Sequence, residues 1–152
     1  MKLVIQRVHK CKLLVDNEVY SEINKGIVVF VGFNQDDTNE HFDWFVNKIC
    51  GLRIFRDEND KINLSVKDVE GEIMIVSNFT LFADCSRGFR PNFMYAMGSE
   101  KARAYYEELV EKFRALHPYK VVTGKFGEHM DIIQENDGPI NIVMDEREYF
   151  KK

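Results

Sequence analysis

Ile73-Met74-Ile75-Val76-Ser77-Asn78-Phe79-Thr80-Leu81 is the stretch on which the reading of this chain turns. Four consecutive apolar residues read as a strand, and Ser77 and Asn78 close it with polar groups at its end. Strand ends are places where nucleophiles occur, so the hydroxyls of Ser77 and Thr80 are candidates for chemistry. No base for either stands nearby in sequence. The competing reading is that both hydroxyls cap or bridge backbone groups, as Ser and Thr commonly do in such turns. The residues leave both open.

A second polar segment lies downstream. Asn136-Asp137-Gly138-Pro139-Ile140-Asn141 separates two strand-like runs, Met130 to Ile133 and Ile140 to Met144. Asn-Asp-Gly is strong turn chemistry, so a tight hairpin turn is expected there. Upstream, Leu3 to Val8 reads as a strand. Lys12 to Val15 and Val19 to Ile23 read as a hairpin about Asp16-Asn17-Glu18. Gly26 releases Ile27-Val28-Val29-Phe30-Val31, apolar throughout, as a strand buried on both faces would be.

Two helices punctuate the strands. Asp37 and Glu40 have capping-box spacing, and Phe42, Phe45, Val46 and Ile49 fall on one face of a helix ending near Gly51. Ser99 is the expected N-cap of the second, whose apolar stripe is Ala102, Tyr106, Leu109, Phe113 and Leu116, with Pro118 just beyond. Short strands are expected around Ile54-Phe55, Ile62 to Leu64 and Val121-Val122, and a charged surface tail from Asp145. The pattern predicts one mixed α/β domain over residues 1–152. Its sheet is mostly antiparallel and curved or barrel-like, with two main helices.

Composition narrows the function. The 152 residues are 45% hydrophobic, enough for a sizeable core. A net charge of −4 argues against a general nucleic-acid or DNA binder. Local basic groups remain at Arg7, Lys10 and Lys12, at Arg87 and Arg90, and at Lys101 and Arg103. Each can meet phosphate or form a solvated face. No apolar run nears the ~20 residues of a membrane span. Three widely spaced cysteines, Cys11, Cys50 and Cys85, suit a reduced cytoplasmic protein. The four histidines lack metal-ligand spacing, so neither a metal nor another cofactor is expected. A Cys-His nucleophile pair of Cys85 with His117 or His129 is the remaining side-chain chemistry, against a plain packing role for the thiol.

The two polar segments resemble the signature motifs of the D-aminoacyl-tRNA deacylase family, also called D-tyrosyl-tRNA deacylases. The resemblance extends through Leu52-Arg53-Ile54-Phe55, Lys61 to Val66, Arg87-Gly88-Phe89-Arg90-Pro91-Asn92-Phe93, Thr123-Gly124-Lys125-Phe126 and Met130, over nearly the whole chain. It implies hydrolysis of the ester joining a D-amino acid, or glycine on tRNA(Ala), to the 3′ end of tRNA. It also implies a homodimer in which a Gly-cisPro segment, here Gly138-Pro139, reaches into the partner's site. The carbonyls of Gly138 and Pro139 would then exclude the side chain of an L-amino acid.

Catalysis would rest on the Ser77-Asn78-Phe79-Thr80 strand end, with the N–H groups of Phe79 and Thr80 facing the oxyanion. The 2′-hydroxyl of the terminal ribose would activate or orient water. Arg7 matches a position that supports the Gly-Pro segment; a surface strand arginine is the other reading. Ala102, Phe126 and Met130 match an adenosine pocket, though Phe126 and Met130 equally suit a core. Two positions depart from the family pattern. Asn78 stands where glutamine is usual, and Pro139-Ile140-Asn141 where Pro-Val-Thr is usual. A tRNA-end binding module with weakened catalysis and a purely structural dimerisation domain are the alternatives.

Overall fold

A single long strand organises the sheet of this protein, whose computed structural model describes residues 1–150. In chain order the strands begin β1 (Lys2–Val15), β2 (Glu18–Ile23) and β3 (Gly26–Gly32). After α1 (Phe42–Gly51) come β4 (Phe55–Arg56), β5 (Ile62–Leu64) and β6 (Glu72–Ser77). Then follow α2 (Ser99–Leu116), β7 (Val121–Thr123), β8 (Asp131–Asp145) and α3 (Glu146–Tyr149). The main sheet has the order β2-β1-β3-β6-β7, with β8 on the other edge of β1, while β4 and β5 form a small separate ribbon.

β1 pairs antiparallel with β3 through Lys2 to Val8, with β2 through Cys11 to Val15, and with β8 along nearly its full length. The two strands expected at Leu3–Val8 and Lys12–Val15 are therefore one. His9 and Lys10 are exposed but do not break it, because β8 continues past them with Lys10 opposite Glu135. The turn into β2 is a two-residue one. Asp16 and Asn17 both have positive φ (51° and 65°), the twist a tight hairpin needs, so Glu18 pairs with Val15 instead of belonging to the turn.

The second polar segment is not a hairpin turn. β8 runs in one direction through it, and both flanking runs pair with β1. Asn141 lies opposite Gln6 and Asn136 opposite Val8, which leaves four residues, Asp137 to Ile140, facing Arg7 alone. Turn-forming residues here make an outsized bulge, because both runs already have partners on one strand.

β3 and β6 pair in parallel, as do β6 and β7, so the sheet is mixed. Its two ends approach each other, where the Ser21 hydroxyl on β2 donates to the Thr123 carbonyl beside β7 at 2.8 Å. The curled sheet is thus nearly closed. Ile27, Val29 and Val31 of β3 join the core under the helices with Phe42, Phe45 and Phe113. Val28 packs on the opposite face with Leu13, Met74 and Val76. This two-sided burial is what the unbroken apolar run predicts.

Helix ends differ from expectation. The Asp37 carboxylate accepts from the Asn34 N–H at 2.6 Å and makes no cap, so α1 starts at Phe42 without a side-chain cap. Ser99 is the first residue of α2, after Gly98, and likewise makes no cap bond. Leu116 is exposed at the end of the helix, and Val110 is buried in the stripe instead. The tail also departs from a solvated surface segment up to residue 150. Glu146 is buried, accepting from the Met1 amino group at 3.0 Å and meeting His41 at 2.7 Å, and Phe150 stacks on His41. Residues 151–152 lie outside the described residues. No helix among the described residues is long and apolar enough to cross a membrane.

Gly26 sits where β3 crosses close to β6, and a Cβ there would run into the Glu72 backbone. Gly26→Ala should lower stability by at least ~1–3 kcal/mol in urea denaturation, since backbone has to move. Hydrogen bonds from Arg147 hold the Asp145 carboxyl below the usual carboxylate range, with burial opposing them. A depressed folded value stabilises above the unfolded pKa, about 3.9, and that stabilisation is lost as pH falls through the lower folded value. Arg147→Gln should therefore lower the urea midpoint at pH 7 and have little effect near pH ~2.

Candidate active site

The strand end of β6 is set by its parallel neighbour. Ser77 lies in register with Val31, and the Asn78 N–H donates to the Val31 carbonyl at 2.8 Å. There the chain leaves the sheet and tightens into a 3₁₀ turn, Phe79–Phe82. The Asn78 side-chain oxygen accepts from the Thr80 N–H at 3.2 Å and from the Thr80 hydroxyl. The Thr80 hydroxyl is therefore turned onto the Asn78 side-chain amide and not onto a backbone group. Among the described residues the N–H of Phe79 is not drawn into this network. The Phe79 side chain is more than half exposed.

This strand end opens onto a cavity of about 790 Å³. Ser77, Asn78, Phe79 and Thr80 line one side of it, and Ala102, Phe126 and Met130 line another. Residues expected separately to act on an ester and to hold an adenosine therefore face the same space. Each wall is held from behind. The buried Tyr106 hydroxyl donates to the Ile75 carbonyl at 2.6 Å, and its ring packs 5.7 Å from that of Phe126. The Arg103 guanidinium lies 4.7 Å from the Phe126 ring centre, a cation–π arrangement that leaves an aromatic surface at the cavity. Gly124 lets Met130 in, since a Cβ there would stand 2.6 Å from the Met130 sulfur.

Sequence reasoning missed several lining groups. Glu128 and His129 contribute polar atoms beside Met130, and Phe93 closes the mouth against Phe79, ring centres 5.1 Å apart. Phe93 had a signal, its place in the Arg87–Phe93 run. His129 was considered only as a partner for Cys85, and Glu128, an isolated polar residue in a loop, had no signal.

Arg7 is buried, 2% exposed, and is not a surface arginine. Its Nε donates to the Asp137 carbonyl at 2.9 Å, Nη2 to the Asp137 carboxylate at 3.1 Å, and Nη1 to the Ile54 carbonyl at 2.6 Å. A planar fork with donors in fixed directions suits this three-way grip. It therefore forms no basic patch with Lys10 and Lys12. The peptide between Gly138 and Pro139 is cis. A Cβ on Gly138 would run into the Ile140 N–H, so the position requires glycine. Asn141 accepts from the Gln6 side chain at 2.8 Å, so the amide unusual for the family ties this segment to β1. Gly138 and Pro139 do not line their own chain's cavity.

Thiol chemistry finds no footing. Cys11 and Cys50 are buried, and burial pushes both thiols up to about 11. Cys85 is exposed but is not among the residues lining the cavity. His117 is buried, its Nε2 2.7 Å from the Gly71 carbonyl.

Fold and site together define a curled-sheet α/β domain with a cavity at the end of a central strand. The family model described as D-Tyr-tRNA(Tyr) deacylase matches residues 4–145. A D-aminoacyl-tRNA deacylase of Thermotoga petrophila is 47% identical over 150 residues, covering 99% of this chain and all of the relative. One from Clostridium perfringens is 46% identical over the same coverage. Among solved structures, the c-Myc DNA Unwinding Element Binding Protein superposes with a TM-score of 0.90 at 37% identity, covering 95% of this chain and 98% of that one. A probable eukaryotic D-amino acid tRNA deacylase shares the fold, with a TM-score of 0.80 at 20% identity over 94% and 97%. The chain belongs to the D-Tyr-tRNA(Tyr) deacylase family, and is an enzyme of that family.

Replacing Arg7 by lysine removes the fork while keeping the charge. The loss should be about 1.5–3 kcal/mol by urea denaturation, the worth of a hydrogen bond to a charged group. Iodoacetamide at neutral pH should alkylate Cys85 in the native protein and spare Cys11 and Cys50, which peptide mapping by mass spectrometry would read out.

Proposed function

We propose that this enzyme hydrolyses the ester of D-aminoacyl-tRNA, and of Gly-tRNA(Ala), in the cytoplasm, and that it works as a homodimer. The observation that carries the reading is the shared cavity, where the Ser77–Thr80 strand end faces the wall of Ala102, Phe126 and Met130. A terminal adenosine against Phe126 and Met130 places its ribose, and hence the ester, toward the strand end. An aminoacyl ester is already activated, so positioning and oxyanion stabilisation are sufficient chemistry. Water attacks the carbonyl carbon, oriented by the 2′-hydroxyl of the ribose. The oxyanion that forms is met by the Phe79 N–H, and by the Thr80 N–H once the Asn78 amide turns away from it. The tetrahedral species then collapses with the ribose oxygen as leaving group.

Chirality is judged by the segment that Arg7 grips. It lies outside its own cavity, which supports its delivery to the site of a partner. The exposed outer side of β8 suits such pairing, with Ile133 and Val143 61% and 57% exposed on a strand whose second edge has no partner among the described residues. The Gly138 and Pro139 carbonyls of one protomer stand beside the partner's strand end. A D-amino acid points its side chain outward, whereas an L-amino acid drives its side chain into these oxygens. Glycine has none and passes.

Purified protein should release D-Tyr from D-Tyr-tRNA and glycine from Gly-tRNA(Ala), leaving L-Tyr-tRNA intact; equal cleavage of both enantiomers would refute the stereochemical reading. Thr80→Ala should change kcat by less than about tenfold, because the side chain is not the nucleophile, whereas losing an oxyanion donor typically costs about 10²–10³. One observation favours a second reading. The Asn78 amide already occupies the Thr80 N–H, as a tRNA-end binding module with weakened catalysis would have it. Tight binding of D-Tyr-tRNA without release would select that module, and neither binding nor release would leave a structural dimerisation domain.

A further inference from the structure

The loop from Asp84 to Phe93 stands apart from the groups that the proposed reaction uses. Its stem is held by two backbone hydrogen bonds, Asp84 N–H to the Asn92 carbonyl at 2.7 Å and Asn92 N–H to the Asp84 carbonyl at 2.9 Å. Asp84 also turns the loop inward by accepting from the Ser86 N–H at 2.9 Å, and Gly88 takes a left-handed φ of 62° at the tip. This frame presents Phe89 fully to solvent. Among the described residues neither Arg87 nor Arg90 has a carboxylate in ion-pair range. Both arginines line a groove of about 410 Å³ with Phe93 as one wall. Phe93 is also a wall of the larger cavity at the strand end, so one side chain borders both spaces.

An exposed phenylalanine between two unpaired arginines, on a shaped loop, makes an unusual solvated face. It has the composition of a single-strand nucleic-acid platform, in which guanidinium groups meet phosphates and an aromatic ring stacks on a base. The chain carries −4 overall, so a polyanion reaching the site needs local positive charge to offset that field.

We propose that this loop is the subsite for the nucleotides immediately preceding the terminal adenosine. Arg87 and Arg90 hold their phosphates, and Phe89 stacks on one of their bases. The proposal rests on the tRNA reading above, and it makes the single-stranded 3′ end, beyond the terminal nucleoside, part of what the enzyme recognises.

The test compares two substrates of different length, D-Tyr-tRNA and 3′-O-D-tyrosyl-adenosine, on the wild type, the double variant R87Q/R90Q and Phe89→Ala. The double variant should raise KM for D-Tyr-tRNA at least about tenfold more than KM for the nucleoside ester. Its dependence of log affinity on log KCl should flatten by about 1.4, for two phosphate contacts on a single strand. Phe89→Ala should also penalise the long substrate selectively, by about tenfold, within the range of one stacked base. Equal penalties on both substrates, or none on either, would overturn the proposal. So would a change of oligomeric state in sedimentation, which would assign the loop to a protein interface. A wild type inactive on both substrates would strike the functional reading alone. Fluorescence titration with an RNA hexamer ending in CCA still reads the loop in that case. The double variant should bind it about tenfold more weakly, and equal binding by the two proteins would reject the subsite.

Discussion

Much of this molecule depends on the pairing of β1 along both of its edges. One edge carries β3 and then β2, which lets the sheet curl toward closure between Ser21 and Thr123. The other carries β8, and here the ladder is interrupted by four residues set against one. A bulge of that size presents backbone groups that regular pairing would satisfy. Arg7 answers this from the opposing strand, using three donors fixed in one plane to hold the Asp137 and Ile54 carbonyls and the Asp137 carboxylate. The segment with the least regular backbone is therefore anchored by one of the most buried charges in the fold.

The candidate site follows the same logic. Its walls are aromatic and sulfur-bearing side chains, braced from behind by Tyr106 and given room by Gly124, while the edge proposed to react is a strand end where the chain leaves the ladder. Such an edge asks little of side-chain reactivity. It does ask for rigidity, and the parallel register of β6 against β3 supplies it. Asn78 adds a restraint of its own. Its short amide reaches the N–H and hydroxyl two residues on and ties the first residues of the turn to the strand end.

Legibility in the sequence varied with the range of the interaction involved. The apolar run Ile27 to Val31 announced a strand covered on both faces, and α1 showed its buried face through Phe42, Phe45, Val46 and Ile49, because periodicity is a local signal. Caps were less legible. Asp37 and Ser99 have the right chemistry, but Asp37 had a nearer partner in the Asn34 N–H, and the α2 boundary fell one residue earlier. Asn136 to Pro139 misled most. Their residue types state that the chain departs from regular strand geometry, yet not whether it reverses.

By itself, then, the sequence determined the mixed α/β class, the helix faces, the candidate strand-end motif and the family resemblance, all carried by residues close together in the chain or by their order. Tertiary structure decided that β8 passes straight through the Gly-Pro segment, that Arg7 is buried beneath it, and that residues 77–80 share a cavity with Ala102, Phe126 and Met130. The reason is that hydrogen-bond pairing and cavity walls are formed between segments distant in sequence. No local preference records which distant strand will satisfy a given backbone group.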